Sequence, residues 1–314
     1  KTFQPSGRVG WALAAHALFQ GSLNVCGQRV FCHEKTDVMV SVPVCATYKP
    51  LYKPFPALSR TRYPALYRRL KILTNRKERN AMPLRFTELP AADAAADYLA
   101  RCVADDLRAV LDRKPRAVLA VSGGKSPVPF FHALSRADLD WPRVGIVLAD
   151  ERLVPNGHAD SNAALVRRHL LQNRAASAVF VPMVADGADE GSLNNGQAAA
   201  ASAAERFLPP DVLVLGMGAD GHTASIFPAA PQFAEAVRAD NPQPLVYVSP
   251  PAAPHGRISM TLAAILRVPQ LYLAIAGGEK LAVFRRAEKG VQPQYPISHV
   301  LNSPKANIHV LYCP

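Results

Sequence analysis

The sequence predicts an α/β protein built on a mostly parallel sheet, and three observations carry that prediction. Residues 212–215, Ala117–Val121 and Val144–Leu148 are short unbroken apolar runs, the pattern of strands buried on both faces. Each run empties into a glycine-rich or charged turn. Stretches of helical period separate the runs, and such alternation builds crossover units. The expected architecture is a doubly wound, Rossmann-like sheet with helices on both faces, spanning residues 82–314 and preceded by an irregular basic leader at 1–81.

The charge distribution justifies the leader. The chain of 314 residues carries a formal net charge of +12, yet residues 1–81 hold 14 Lys and Arg against 3 Asp and Glu, and the remainder is nearly neutral. Prolines at 43, 50, 54, 56 and 64 interrupt any long regular element there. Arg8 ahead of the apolar run at 9–19 imitates a signal peptide, but Gly10 and His16 break the run, no small-x-small site follows, and it is too short to span a bilayer. An organelle transit peptide is the second reading. The preferred one places residues 1–81 outside the functional domain, with Met82 as the natural first residue. Cys26, Cys32 and Cys45 lie in the leader, leaving Cys102 and Cys313 far apart. Neither a zinc spacing nor a disulfide framework results, Cys26, Cys32 and His33 lacking a fourth ligand, so a reduced, cytoplasmic compartment is the default.

The domain is then read in order. From Pro90, Leu99, Val103, Leu107, Val110 and Leu111 recur at helical spacing until Lys114-Pro115 ends the helix. Ala117–Val121 leads into Ser122-Gly123-Gly124-Lys125-Ser126-Pro127 and a second helix at Val128–Leu134. Glycines let backbone N–H groups converge on a phosphate at a helix start, with Ser122, Lys125 and Ser126 as further donors. The spacing is not that of a Walker A loop, which disfavours a nucleotide triphosphatase. Val144–Leu148 delivers Asp150-Glu151-Arg152, three adjacent charges at the end of a core strand. Asp160-Ser161-Asn162 reads as a helix cap ahead of residues 165–171. A strand at 178–181 and an Ala-rich helix at 197–207 follow.

The run at 212–215 then opens into Gly216-Met217-Gly218-Ala219-Asp220-Gly221-His222, which lacks the acid of a dinucleotide fingerprint. Gly218 and Gly221 permit close approach of a ligand, and His222, at a strand's carboxyl end, is the first candidate for chemistry. Leu245–Val248 and residues 271–275 add strands, and 308–311 is placed at a sheet edge. Arg257 is read as a turn residue able to clamp phosphate, and Lys280 as a cation near a helix N-terminus after Gly277-Gly278.

Taken together, SGGKSP at 122–127, DERLVP at 150–155, DSN at 160–162, GMGADGHTASIFP at 216–228, GRISMT at 256–261 and GGEK at 277–280 resemble the 6-phosphogluconolactonase family across nearly all of residues 82–314. The related glucosamine-6-phosphate deaminases, the alternative enzyme reading, continue from Asp-Gly-His to an acid before the proline, where this chain has Phe227. They also carry Asp-Glu-Tyr in place of Asp150-Glu151-Arg152. The family's usual Ser-Gly-Gly-Ser-Thr-Pro is altered here at Lys125 and Ser126.

The resemblance implies hydrolysis of 6-phospho-D-glucono-1,5-lactone to 6-phosphogluconate in the oxidative pentose phosphate pathway, with no metal and no organic cofactor. His222 is expected to act as base and then acid, Asp220 to set its tautomer, and Arg152 or glycine-turn N–H groups to hold the oxyanion. Ser122, Gly123, Gly124, Lys125, Ser126, Arg257 and Lys280 are expected to hold the phosphate, and Asp150, Glu151, Gly218 and Gly221 the sugar. The only partner expected is a small sugar phosphate, without nucleic acid or membrane, and the oligomeric state stays open. A sugar-phosphate sensor without turnover and a nucleic-acid binder driven by the leader are the other readings.

Overall fold

The structure, a computed structural model, describes residues 28–33, 39–44 and 84–314. Within the leader, β1 (Gln28–His33) pairs antiparallel with β2 (Met39–Val44), Gln28 opposite Val44 and His33 opposite Met39. Apart from these two strands, the expectation of an irregular leader falls on residues outside the described ones. Val40, Val42 and Val44 recur at the period of two that suits a strand, a signal the surrounding prolines obscured. The run at 9–19 and the proposed start at Met82 lie outside the described residues.

Residues 84–314 form a seven-stranded sheet in which every neighbouring pair is parallel. Its strands are β3 (Arg85–Glu88), β4 (Ala117–Val121), β5 (Val144–Leu148), β7 (Val179–Phe180), β8 (Val212–Gly216), β11 (Gln270–Ala276) and β12 (Ile308–Cys313), in the spatial order β3-β12-β11-β8-β4-β5-β7. Every residue of β5 and β12 is buried, as expected of strands covered on both faces; β5 is apolar throughout, whereas β12 also buries His309.

The helices follow from the chain's path. It enters at β3, crosses by α1 (Ala92–Leu111) to β4, moves outward through α2 (Val128–Leu134) to β5 and through α3 (Asn162–His169) to β7, then returns through α4 (Gly196–Glu205) to β8. Right-handed crossovers put α1, α2 and α3 on one face and the later helices on the other, since the direction of travel reverses. The contacts agree: α1 packs on α2 and α2 on α3, whereas α8 (Ile297–Leu301) packs on α6 (Leu262–Ile265) and α7 (Gly278–Ala287). In α1 the buried stripe is Ala96, Leu99, Ala100, Val103, Ala104 and Leu107, with Asp93 in the first turn and Arg108 in the last, signs that suit the helix dipole.

Several expectations are corrected. The strand at 308–311 is not an edge, because β3 lies outside it; Arg85-Phe-Thr-Glu is short and only half-buried and carries no continuous apolar signal. Asp150-Glu151-Arg152, expected only as charges following a core strand, form a strand of their own, β6 (Asp150–Arg152), and Arg257 lies not in a turn but in β10 (Arg257–Met260). With β9 (Leu245–Val248) they make a separate antiparallel sheet, β6-β10-β9, in which Arg257 stands opposite Arg152. The strand expected at 178–181 contracts to Val179–Phe180. Ser161 caps α3 as expected, its hydroxyl accepting from Ala164 N at 3.2 Å. Among the described residues no helix is long and apolar enough to cross a membrane.

Candidate active site

The sheet order fixes where a ligand belongs. β4 is the first strand laid down in the middle of the sheet, and β8 comes back to its other side, so the chain leaves these neighbours in opposite directions. The carboxyl ends of strands at such a reversal open a crevice. A cavity of about 380 Å³ lies there, lined by Ser122, Gly123, Gly124, Ser126, Asp150, Arg152, Asn162, Gly216, Met217, Gly218, His222, Ala224 and Lys280 among others. Its apolar wall comes from Ala92, Ala96 and Leu99 of α1, Phe130 and Phe131 of α2, and Ile275, Leu311 and Cys313 of the sheet.

The two loops at the crevice are stitched together. Ser122 N donates to Val214 O at 3.1 Å, and Gly216 N lies 3.4 Å from the Ser122 hydroxyl that accepts from it. Gly123 is pressed onto Asn162, where a Cβ would stand 1.8 Å from Oδ1. Asn162 is itself fixed, Nδ2 donating to Asp150 O at 2.8 Å.

After β8 the chain makes a tight turn, with Gly221 N donating to Gly218 O at 3.0 Å and Gly218 N to His222 O at 2.9 Å. Gly221 has φ of 78° and packs against Tyr295, two demands that only glycine meets cheaply. The turn delivers His222 with Nδ1 at 2.6 Å from Asp220 Oδ1 and its ring 4.6 Å, centroid to centroid, from Phe227. Asp220 as acceptor selects the tautomer protonated on Nδ1, which leaves the Nε2 lone pair free. Ala224, also on the cavity wall, has φ of 46°, unusual for a residue with a Cβ. It is held by Thr223 Oγ1, which donates to Gly216 O at 2.9 Å, and by Ser225 Oγ, which donates to Asp150 Oδ2 at 2.6 Å. Strain tolerated on the cavity wall fits a positioned site.

Five of the expected residues stand off the cavity, each for a readable reason. Asp220 reaches it only through His222, and Gly221 faces Tyr295. Lys125 is exposed. Glu151 is fully buried, and its carboxylate accepts from Arg152 N, Asn162 N and Ala163 N, each at 2.7 Å, and from Ser161 Oγ at 3.2 Å. It closes the N-terminus of α3 rather than facing a ligand, so its expected sugar contact is corrected. Burial pushes its carboxyl up to about 7 against the pull of those N–H donors.

Arg257 is also corrected. It is buried, with Nη1 donating to Pro254 O at 2.6 Å and His255 O at 2.9 Å, so the guanidinium is committed to its own loop. Burial and then the neighbouring Arg152 lower its pKa. Arg152 does line the cavity, with Nη1 donating to Asp160 O at 2.5 Å. Lys280 reaches it from the first turn of α7. Sequence reasoning gave Asn162 only a capping role and passed over Ser225, and it read Phe227 only as a family marker. The DSN and GHTAS motifs contained the first two, but their contacts join residues far apart in the chain.

Comparison with known proteins agrees with this geometry. Residues 90–310 match the family described as glucosamine-6-phosphate isomerases/6-phosphogluconolactonase. A 6-phosphogluconolactonase of Neisseria meningitidis serogroup A is 54% identical over 225 residues, covering 72% of this chain and 97% of the relative. The solved structure of a 6-phosphogluconolactonase from Shewanella baltica superposes with a TM-score of 0.68 at 37% identity, covering 74% of this chain and all (100%) of the other. A crystal structure of a Neisseria gonorrhoeae protein gives 0.72 at 53% identity, with coverage of 74% and 100%. On the sequence match, the shared fold and the cavity at the sheet's reversal, the chain belongs to the glucosamine-6-phosphate isomerase/6-phosphogluconolactonase family.

Proposed function

We propose that the chain is a 6-phosphogluconolactonase, hydrolysing 6-phospho-D-glucono-1,5-lactone to 6-phosphogluconate in the cytoplasm. The observation that carries the reading is the Asp220–His222 pair at the mouth of a cavity that also presents Ser122, Ser126, Arg152 and Lys280. Ester hydrolysis needs a base for water, a positive or N–H environment for the oxyanion, and a proton for the departing ring oxygen.

His222 Nε2 takes the water proton as the water oxygen adds to C1. Asp220 holds Nδ1–H throughout and stabilises the imidazolium. As the tetrahedral intermediate collapses, the proton on Nε2 passes to the ring oxygen, the C1–O5 bond breaks, and the carboxylic acid then ionises to solvent. Arg152 neutralises the oxyanion. Lys280, Ser122, Ser126 and the N–H groups of Gly123 and Gly124 hold the C6 phosphate, which fixes C1 near His222. Phe227, its ring tilted against that of His222, occupies the position at which the deaminase pattern has its acid, and this favours the lactonase.

The test is His222→Ala. General acid–base catalysis is worth about 10²- to 10⁴-fold, so kcat should fall by at least about 10²-fold while KM changes little. Turnover near the wild-type rate would remove His222 from the mechanism.

A further inference from the structure

A second cluster lies at the rim of the β6-β10-β9 sheet. His158, Asp160 and His255 each offer a ligand atom, and the three atoms lie within 4.8 Å of one another. His255 Nε2 is 3.2 Å from Asp160 Oδ2, and His158 Nδ1 is 3.9 Å from the same oxygen. A tetrahedral zinc ion, with bonds of about 2.0–2.1 Å to nitrogen or carboxylate oxygen, spaces its ligands by roughly 3.3 Å. The separations therefore already approach those of a filled site. All three side chains are partly open to solvent, so an ion has a path in and room for water as a fourth ligand.

Two features separate the cluster from a chance surface pairing. The first is His255 itself, a non-glycine residue at φ of 67°. Residues held in the left-handed region at a local cost cluster at active sites and ligand clamps. The second is the balance of charge. The guanidinium groups of Arg152 and Arg257 are set against the carboxyl groups of Asp150, Glu151 and Asp160, so the neighbourhood is not closed to a cation.

From these observations we infer that His158, Asp160 and His255 form a binding site for a divalent transition-metal ion of the zinc class, separate from the lactone-hydrolysing machinery. His158 Nδ1 now accepts from Asp160 N at 3.1 Å, and the ion displaces that N–H group. Asp160 then faces two ways, its carboxylate to the ion and its carbonyl to Arg152 Nη1. An occupied site stiffens the loop on which Arg152 rests. The inference does not depend on the lactonase reading, since binding is measured without substrate.

The experiment is a Co²⁺ titration of the full chain, followed by visible absorption and competed with Zn²⁺, in the wild type and in His158→Ala and His255→Asn. Asparagine tolerates the left-handed backbone, and circular dichroism checks folding. The expected result is a set of d–d bands from nitrogen and oxygen ligands, without thiolate charge transfer in the near ultraviolet. Zn²⁺ should bleach those bands, and each variant should weaken Co²⁺ binding by at least tenfold. Bands of unchanged affinity in both folded variants would overturn the site, and so would a spectrum dominated by thiolate. X-ray absorption at the zinc edge of the wild type gives a test free of variants: two imidazoles in the coordination shell support the site, and a sulfur shell contradicts it.

Discussion

A methyl group added at Gly218 would stand 2.3 Å from Cε1 and Nδ1 of His222 and 2.6 Å from Asp220 Oδ1. Neither partner can retreat freely, because Phe227 backs the ring and the Asp220 carboxylate is bonded to it. Gly218→Ala should therefore rotate the imidazole off its line to the substrate. Misplacement by about 1 Å costs on the order of 10²-fold, and kcat should drop by that much while the cavity still takes up 6-phosphogluconate. Steady-state kinetics with a product-binding titration check this, and an unchanged kcat would mean that the ring adapts. The glycine was visible in the sequence, but its reason was not. A Gly-x-Gly turn after a strand predicts a close approach without saying that the group approached is the protein's own histidine.

At the scale of elements, Glu151 joins the charged strand β6 to the start of α3. Its carboxyl is raised from 4.5 to about 7 by burial. Below about pH 4.5 the group is protonated in folded and unfolded chain alike. Between there and about 7 only the unfolded chain releases the proton, so the contribution of Glu151 to stability declines as pH rises through that window. The decline is on the order of 3 kcal/mol. In Glu151→Gln this slope should disappear. The variant should also be less stable near neutrality by about 1–3 kcal/mol, because an amide NH₂ meets the N–H donors that the carboxylate accepted. Melting temperatures of both proteins from pH 5 to 8.5 check the prediction, and parallel profiles would refute it.

β6 illustrates what could and could not be read beforehand. The apolar strands β4, β5 and β8 declare themselves by composition, since burial on both faces leaves room for little else. A strand of Asp, Glu and Arg does not, and only its pairing with Arg257, Ile258 and Ser259 makes it one. The same pairing explains Arg257, whose phosphate-clamp chemistry was plausible until the strand buried it among carbonyls.

At the scale of the whole molecule, the sheet order creates the crevice, and the family match from 90 to 310 coincides with the elements that build it. The basic residues before 82 lie outside the stretch that the family model matches. A chain lacking residues 1–81 is expected to keep its lactone turnover within about twofold, a ΔΔG‡ well below that of losing one oxyanion donor. Any salt-sensitive binding to nucleic acid should leave with the deleted segment. Kinetics and a salt-titrated binding assay on both proteins check this; binding retained without the leader would relocate the basic surface to the domain. The motif order and the residues at the strand ends were legible in the sequence. The partition between those that face the cavity and those that brace it was not, because Glu151, Arg257, Asn162 and Ser225 are sorted by partners that only folding supplies.

The central claim is that this cavity hydrolyses a phosphorylated sugar lactone, and one measurement meets it directly. Freshly prepared 6-phospho-D-glucono-1,5-lactone is followed through 6-phosphogluconate dehydrogenase, with the full chain, with His222→Ala and with buffer alone. The account predicts product formation well above the spontaneous rate with the wild-type chain and near that rate with the variant. Product formation by the wild-type chain no faster than in buffer would contradict it.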